Sequence, residues 1–276
     1  MRSRMLRWAP YAVVGLVAGL CSRAPAATET LAQYWDKELV RLQGWPAQVE
    51  RDPSMITFCA ERLRTCQMRW HMSTHPALRP VLYLLDRQDP TAFAPGADHT
   101  WVALDVRELC GTAALTQHPN PEQQEAHAAV LAAVRAFDVL AGLQRTGGRR
   151  CGLVGEGLGA TLALAVAALR PEQTAFVAAH KPLPAAHGVH KGLERWARQA
   201  DEAGEYVAPE QFARLVTAPA LVSVGEAGGA AEAEGVYEAL GGPRELMVIP
   251  SGRRGPTDEL RQWERLWREW ADGLRR

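Results

Sequence analysis

Lysine and serine are scarce in this chain, and histidine runs out well before the C-terminus. Only three of the thirty-one basic residues are lysine (Lys37, Lys181, Lys191). Thirty-one acidic residues balance them to a formal net charge of zero. No long-range field favours nucleic acid, and that class of partner is excluded. Past residue 26, serine occurs only at Ser54, Ser73, Ser223 and Ser251, and no histidine follows His190. Any chemistry that needs a serine or a late histidine has very few residues to draw on. No group of cysteines and histidines has zinc spacing, so no metal is expected, and no cofactor is implied. Internal repeats and low-complexity segments are also missing. What remains is ordinary globular composition, 47% hydrophobic and 22% charged over 276 residues, enough for one sizeable core.

The N-terminus reads as a targeting segment. Met1 to Arg7 carries three arginines, and an apolar stretch runs from Trp8 to Cys21. Ala24-Pro25-Ala26 then supplies the small-x-small pattern of a signal peptidase site. About 14 apolar residues are too few for a comfortable membrane span. A lipid anchor on Cys21 is disfavoured by Leu20 just before it, where a small residue is wanted. The expected division is a signal peptide over 1–26, a helix and linker over 27–50, and one domain over 51–276. The mature protein is expected in the periplasm or outside the cell, with no membrane span. Export permits disulfides among Cys59, Cys66, Cys110 and Cys151. Cys59 and Cys66 flank what reads as a hairpin tip and could sit opposite each other there, while Cys110 and Cys151 fall on or near core strands; the sequence leaves the pairing of the four open.

Apolar spacing predicts an amphipathic helix over Thr28–Gln43, then two paired strands, Ser54–Cys59 and Cys66–Met72. Further strands are expected at Val81–Leu85, Trp101–Asp105, the short apolar run that leads into the glycines of the stretch beginning at Arg149, Thr174–Ala179, Pro219–Val224 and Glu245–Ile249. Asn120-Pro121 opens a long helix between them, with Asn as cap and Pro at the first helical position. Near the C-terminus Leu260, Trp263, Trp267, Trp270 and Leu274 share one helical face. Spacing of i, i+4 and i+7 fits core packing better than a sugar-stacking platform. Strands without alternation, interleaved with helices, predict an α/β fold: a mostly parallel sheet of about eight strands with helices on both faces.

The most informative stretch is Cys151-Gly-Leu-Val-Gly155-Glu156-Gly157-Leu158-Gly159-Ala160, which runs into an almost wholly apolar helix to Leu169. Strand, sharp turn and helix, with Gly-x-Gly-x-Gly at the turn, match the Gly-x-Ser-x-Gly elbow that raises a nucleophilic serine above a sheet. Two other segments agree with it. Trp101-Val-Ala-Leu-Asp105-Val106-Arg107 with Gly111 resembles a strand ending in Asp-x-Arg-Gly. Ala218–Gly225 and Gly241-Gly-Pro-Arg-Glu-Leu246 resemble the strand before a catalytic acid and the segment before a catalytic histidine. In order and spacing these resemble the acetyl xylan esterase and cephalosporin-C deacetylase family of α/β-hydrolases, from about Pro80 to Gly255.

The departures from that family fall on the chemistry. The resemblance places the nucleophile at Gly157, the acid near Gly228 and the histidine at Arg253 or Arg254. The His-Gly turn that helps build the oxyanion hole is replaced by Leu85-Asp86-Arg87-Gln88. The family order is serine, acid, histidine, and no histidine follows the acid position here, so that triad cannot assemble. Glycine has no nucleophile, and arginine cannot act as a general base near neutral pH.

Residues expected around a vacated pocket are Asp86, Arg87, Glu156, Leu158 and His180. Glu156 reads better as a solvated or ion-paired turn residue. His180 could join Lys181, His187 and His190 in a pocket, although a plain polar loop is the simpler reading. Asp105 and Arg107 read as an ion pair at a strand end. Three functions follow as expectations. The first is an exported, non-catalytic hydrolase-like domain that binds a carbohydrate or acetylated small molecule, or serves as a scaffold. The second is an ester hydrolase with a relocated nucleophile, at Cys110, Ser251 or the His180–His190 loop. The third is a surface-binding module with no pocket.

Overall fold

The computed structural model describes residues 30–61, 64–73, 79–85, 100–106, 121–143, 149–182, 208–226, 230–250 and 256–274. Residues from Leu31 onward form one compact unit. Its helices are α1 (Leu31–Gln43), α2 (Pro121–Ala141), α3 (Leu158–Leu169), α4 (Pro209–Ala213), α5 (Ala230–Ala239) and α6 (Pro256–Gly273). Its strands are β1 (Glu50–Arg51), β2 (Met55–Glu61), β3 (Arg64–His71), β4 (Val81–Leu85), β5 (Trp101–Asp105), β6 (Cys151–Glu156), β7 (Thr174–His180), β8 (Ala220–Gly225) and β9 (Arg244–Ile249).

The strands form a single nine-stranded sheet in the order β1-β2-β3-β5-β4-β6-β7-β8-β9. β1, β2, β3 and β5 pair antiparallel in turn, and every pair from β5–β4 to β8–β9 is parallel. The sheet expected from the uninterrupted apolar runs is therefore present, with the two-residue β1 added at its edge. β4, β7 and β8 are buried along their whole length, as a sheet covered on both faces requires.

Leu82, Leu84, Leu104, Leu153, Val177 and Val222 face one side, against buried residues of α1, α2, α3 and α5. Val81, Tyr83, Val154, Phe176, Ala178 and Leu221 face the other, against Trp263, Trp267 and Ala271 of α6. The Trp stripe of α6 is thus core, with Trp267 5.8 Å from the Tyr83 ring and 6.2 Å from Phe176. Ala271 continues that stripe, whereas Leu274 is exposed. α1 is inside the unit and not a separate lead-in. Its Trp35 is fully buried and stacks on His127 of α2 at 5.2 Å. Arg135 of α2 then donates to the carbonyls of Leu42 and Trp45, at 2.5 and 2.8 Å, just where α1 ends, and the Leu42 carbonyl also accepts from the Trp45 N–H at 3.1 Å.

The Cys59–Cys66 pairing that the hairpin made plausible is not formed. In the β2–β3 ladder Cys59 lies opposite Thr65, and Cys66 lies opposite Phe58. Adjacent residues of a strand point to opposite faces, so this one-step offset sends the two thiols to different sides. Cys59 Sγ lies 3.3 Å from Gln48 Oε1, and none of Cys59, Cys66 and Cys151 is joined in a disulfide. Burial pushes the Cys151 thiol up to about 12, so it stays a protonated, unreactive thiol near neutral pH. Alkylation of the unfolded protein without reductant, read by peptide mass, is therefore expected to modify all three. In the folded protein Cys151 is expected to be protected. A Cys59–Cys66 disulfide peptide would contradict the ladder register.

Candidate functional site

At the end of β6 the chain turns through Gly157 into α3, and Gly157 has φ 58° and ψ −124°. That combination is costly for any residue with a side chain, by about 1–3 kcal/mol, and a nucleophile elbow holds its residue in strain of this kind. Hydrogen bonds fix it. The Gly157 N–H donates to the His180 carbonyl at 2.9 Å, and its own carbonyl accepts from Ala160 N–H at 3.1 Å. A Cβ on Gly155 would collide with the Gly159 carbonyl, and one on Gly159 would collide with the Leu84 carbonyl. The outer glycines let α3 lie directly on β4 and β6; the middle one takes the strained turn. The turn has the backbone shape of such an elbow, and Gly157 places no side chain at its tip.

On the opposite face of the sheet, under α6, lies a second polar arrangement. His180 ends β7, and in the ladder it sits opposite Ser223 of β8. His180 Nδ1 is 3.0 Å from Ser223 Oγ, and Nε2 is 3.0 Å from Glu259 Oε1. A ring protonated on Nε2 satisfies this pattern: the serine hydroxyl donates to Nδ1, and Nε2–H donates to the carboxylate. Lys181 Nζ reaches the same carboxylate oxygen at 2.5 Å. Lys181 itself has φ 50°, and its N–H donates to the Ser223 carbonyl at 2.7 Å. Trp263 stacks on the imidazole at 5.2 Å. Gly225 makes the space, since a Cβ there would strike the Glu259 carboxylate.

Serine, histidine and glutamate in hydrogen-bonded series resemble a hydrolytic triad, yet two features separate them from one. His180 and Ser223 both have 0% exposure, so the hydroxyl is closed off from solvent in this arrangement. The ring is also reversed: in the serine protease triad Nε2 faces the nucleophile and Nδ1 the acid. The row ties β7 and β8 to α6 next to the elbow.

Among the residues expected to line a pocket, Leu158 is fully buried in the core on the α3 side. His180 is closed off beneath α6 and not open to a pocket. Glu156 is half-buried at the end of β6, opposite His180 in the ladder. Asp105 lines a cavity of about 210 Å³ with Met55, Gln67, Arg69, Leu85, Ala103 and Leu104. Asp86, Arg87, Arg107, Cys110, His187, His190, Gly228, Ser251, Arg253 and Arg254 lie outside the described residues. Ser223 and Glu259 were not expected to meet His180. A signal existed for both: Ser223 is the one polar residue in Ala-Leu-Val-Ser-Val, and Glu259 precedes Trp263 by one turn on the buried stripe. Among the described residues no helix is long and apolar enough to cross a membrane, and no group of three His, Cys, Asp or Glu is placed to hold a metal ion.

No family model and no curated protein matches the chain. Solved structures do. Acetyl xylan esterase 1 from Thermoanaerobacterium sp. JW/SL YS485 superposes with a TM-score of 0.62 at 16% identity, covering 85% of this chain and 92% of that one. The acetyl xylan esterase from Paenibacillus sp. R4 gives 0.61 at 15%, covering 88% and 95%. Est1E from Butyrivibrio proteoclasticus gives 0.56 at 10%, covering 83% and 98%. The chain has the α/β-hydrolase fold, and at these identities the likeness extends to the fold alone.

Proposed function

We propose that this protein is a non-catalytic α/β-hydrolase-fold protein, exported, which binds a carbohydrate or ester-like ligand or serves as a scaffold. The observation that carries the reading is Gly157: the backbone takes the strained turn of a nucleophile elbow, and the residue there has no side chain. The absence of any histidine beyond His190 supports it, because the family's base comes last in the chain. The likeness to acetyl xylan esterases favours an ester- or sugar-like ligand. For the N-terminal segment, the mass of protein recovered from the producing cell's envelope or medium is expected to begin near Ala27. Material starting at Met1 would count against export by cleavage.

The Ser223–His180–Glu259 row favours a second reading, an esterase whose nucleophile has moved to Ser223. Hydrolysis of 4-nitrophenyl acetate separates the two. A hydrolase that lacks its triad keeps about 10³–10⁴ over water where an oxyanion hole survives, so only turnover well above that level counts. The native protein and its Gly157→Ala and Ser223→Ala variants are all expected to stay at or below it. Turnover far above it that disappears in Ser223→Ala would establish the second reading. Turnover that disappears in Gly157→Ala would place chemistry at the elbow after all.

A further inference from the structure

The two edges of the sheet are finished differently. β1 closes one edge with two residues, too short to template another strand, whereas β9 closes the other with six. The backbone of β9 alternates its hydrogen-bonding direction. Pro243 and Ile249 turn their carbonyls to β8, accepting from Ala220 and Glu226 at 2.9 Å each. Glu245 and Met247 follow the same parity, so Arg244, Leu246 and Val248 point their N–H and C=O groups away from the sheet. No hydrogen bond among the described residues takes up these outward groups.

Apart from the exposed Glu245, the side chains do little to block this edge. Leu246 is 42% and Val248 58% exposed, side by side on one face. Within Arg244–Ile249 there is no proline, no lysine and no register shift against β8, the usual devices that prevent edge pairing. The one cation, Arg244, is folded back: it donates to the carbonyls of Glu238 and Leu240 at 2.8 Å and lies over the Tyr237 ring at 5.0 Å.

We infer that β9 pairs antiparallel with β9 of a second copy of this chain across a two-fold axis, joining two sheets into one. The partner is a second copy because an isologous edge pairs with itself, and charge and hydrogen bonding select one register. Outward residues must face outward residues, so the two-fold passes through a residue, and centres at residues 245, 246 and 247 keep the most of β9 paired. Centring on Glu245 sets that carboxylate against its own copy, a like-charge pair that is destabilising. Centring on Met247 sets Arg244 against Pro250, which has no N–H to give. Centring on Leu246 sets Arg244 opposite Val248, Leu246 opposite Leu246 and Glu245 opposite Met247. No like charges meet, and all three outward residues exchange bonds, about six in total. The same register gathers two leucines and two valines on one face.

Light scattering coupled to size-exclusion chromatography tests this on the purified protein. The native chain is expected to run at twice its monomer mass. Val248→Lys and Leu246→Lys are expected to halve the measured mass with an unchanged circular dichroism spectrum. Leu246→Cys gives an independent check. Directly opposed residues in such a pair have Cα atoms about 5.5 Å apart, within disulfide range, so mild oxidation is expected to produce a covalent dimer that the native chain does not form. Arg244→Cys is expected not to cross-link. A monomer at all soluble concentrations would overturn the proposal. So would a dimer indifferent to both lysine variants, or a cross-link through Met247→Cys in place of Leu246→Cys.

Discussion

Gly159→Ala is expected to destabilise the protein by about 3 kcal/mol or more, a drop of roughly 6–12 °C in Tm for a unit of this size. The added Cβ would run into the carbonyl of Leu84. Leu84 is a backbone obstacle in the middle of β4, paired to both β5 and β6, and cannot rotate aside as a flexible side chain would. Relief requires α3 to lift from the sheet. α3 is buried at every position from Leu158 to Ala167, so lifting it exposes apolar surface all along the helix. Gly157→Ala is expected to cost less, about 1–3 kcal/mol, from the backbone strain at its φ of 58°. Thermal denaturation of both variants checks the order. Equal effects would mean that the elbow glycines do not set the distance between α3 and the sheet.

Glu259→Ala is expected to cost about 3 kcal/mol, measured by denaturant unfolding. The substitution removes the acceptor for His180 Nε2 at a site with 0% exposure, and the partner of Lys181 with it. Lys181→Ala is expected to cost under about 1 kcal/mol, since that side chain is 40% exposed and water replaces much of what is lost. Gly225 supplies a second check. Gly225→Ala alone drives a methyl into the carboxylate and is expected to destabilise. In the Glu259→Ala background the same methyl enters emptied space, so the double variant is expected to be more stable than the sum of the two. Additive losses would show that Gly225 and Glu259 do not share that space.

Much of this architecture was legible in the sequence because it depends on period. Val81–Leu85 and Ala220–Val224 are uninterrupted apolar runs and become fully buried parallel strands. The glycines at 155, 157 and 159 announced a tight strand-to-helix turn, which the backbone of Gly157 takes. Where the reading failed, the missing quantity was register. Cys59 and Cys66 flank a hairpin tip, but a one-residue offset in the ladder decides which face each occupies, and sequence spacing does not give that offset. The row under α6 was hidden for the same reason. Ser223, His180 and Glu259 come from three elements separated by 43 and 79 residues, and each alone looks like an ordinary polar interruption. Their meeting depends on the pairing of β7 with β8 and on the seat of α6.

The most direct test of the central claim, that the scaffold holds no activated nucleophile, is the intact mass of the protein after treatment with a fluorophosphonate. Such reagents attach covalently to a hydroxyl that a neighbouring base has activated, whatever substrate the enzyme prefers. An unchanged mass is predicted, with Ser223 unmodified after digestion. One phosphonyl group added, located on Ser223 or on any other side chain, would contradict it.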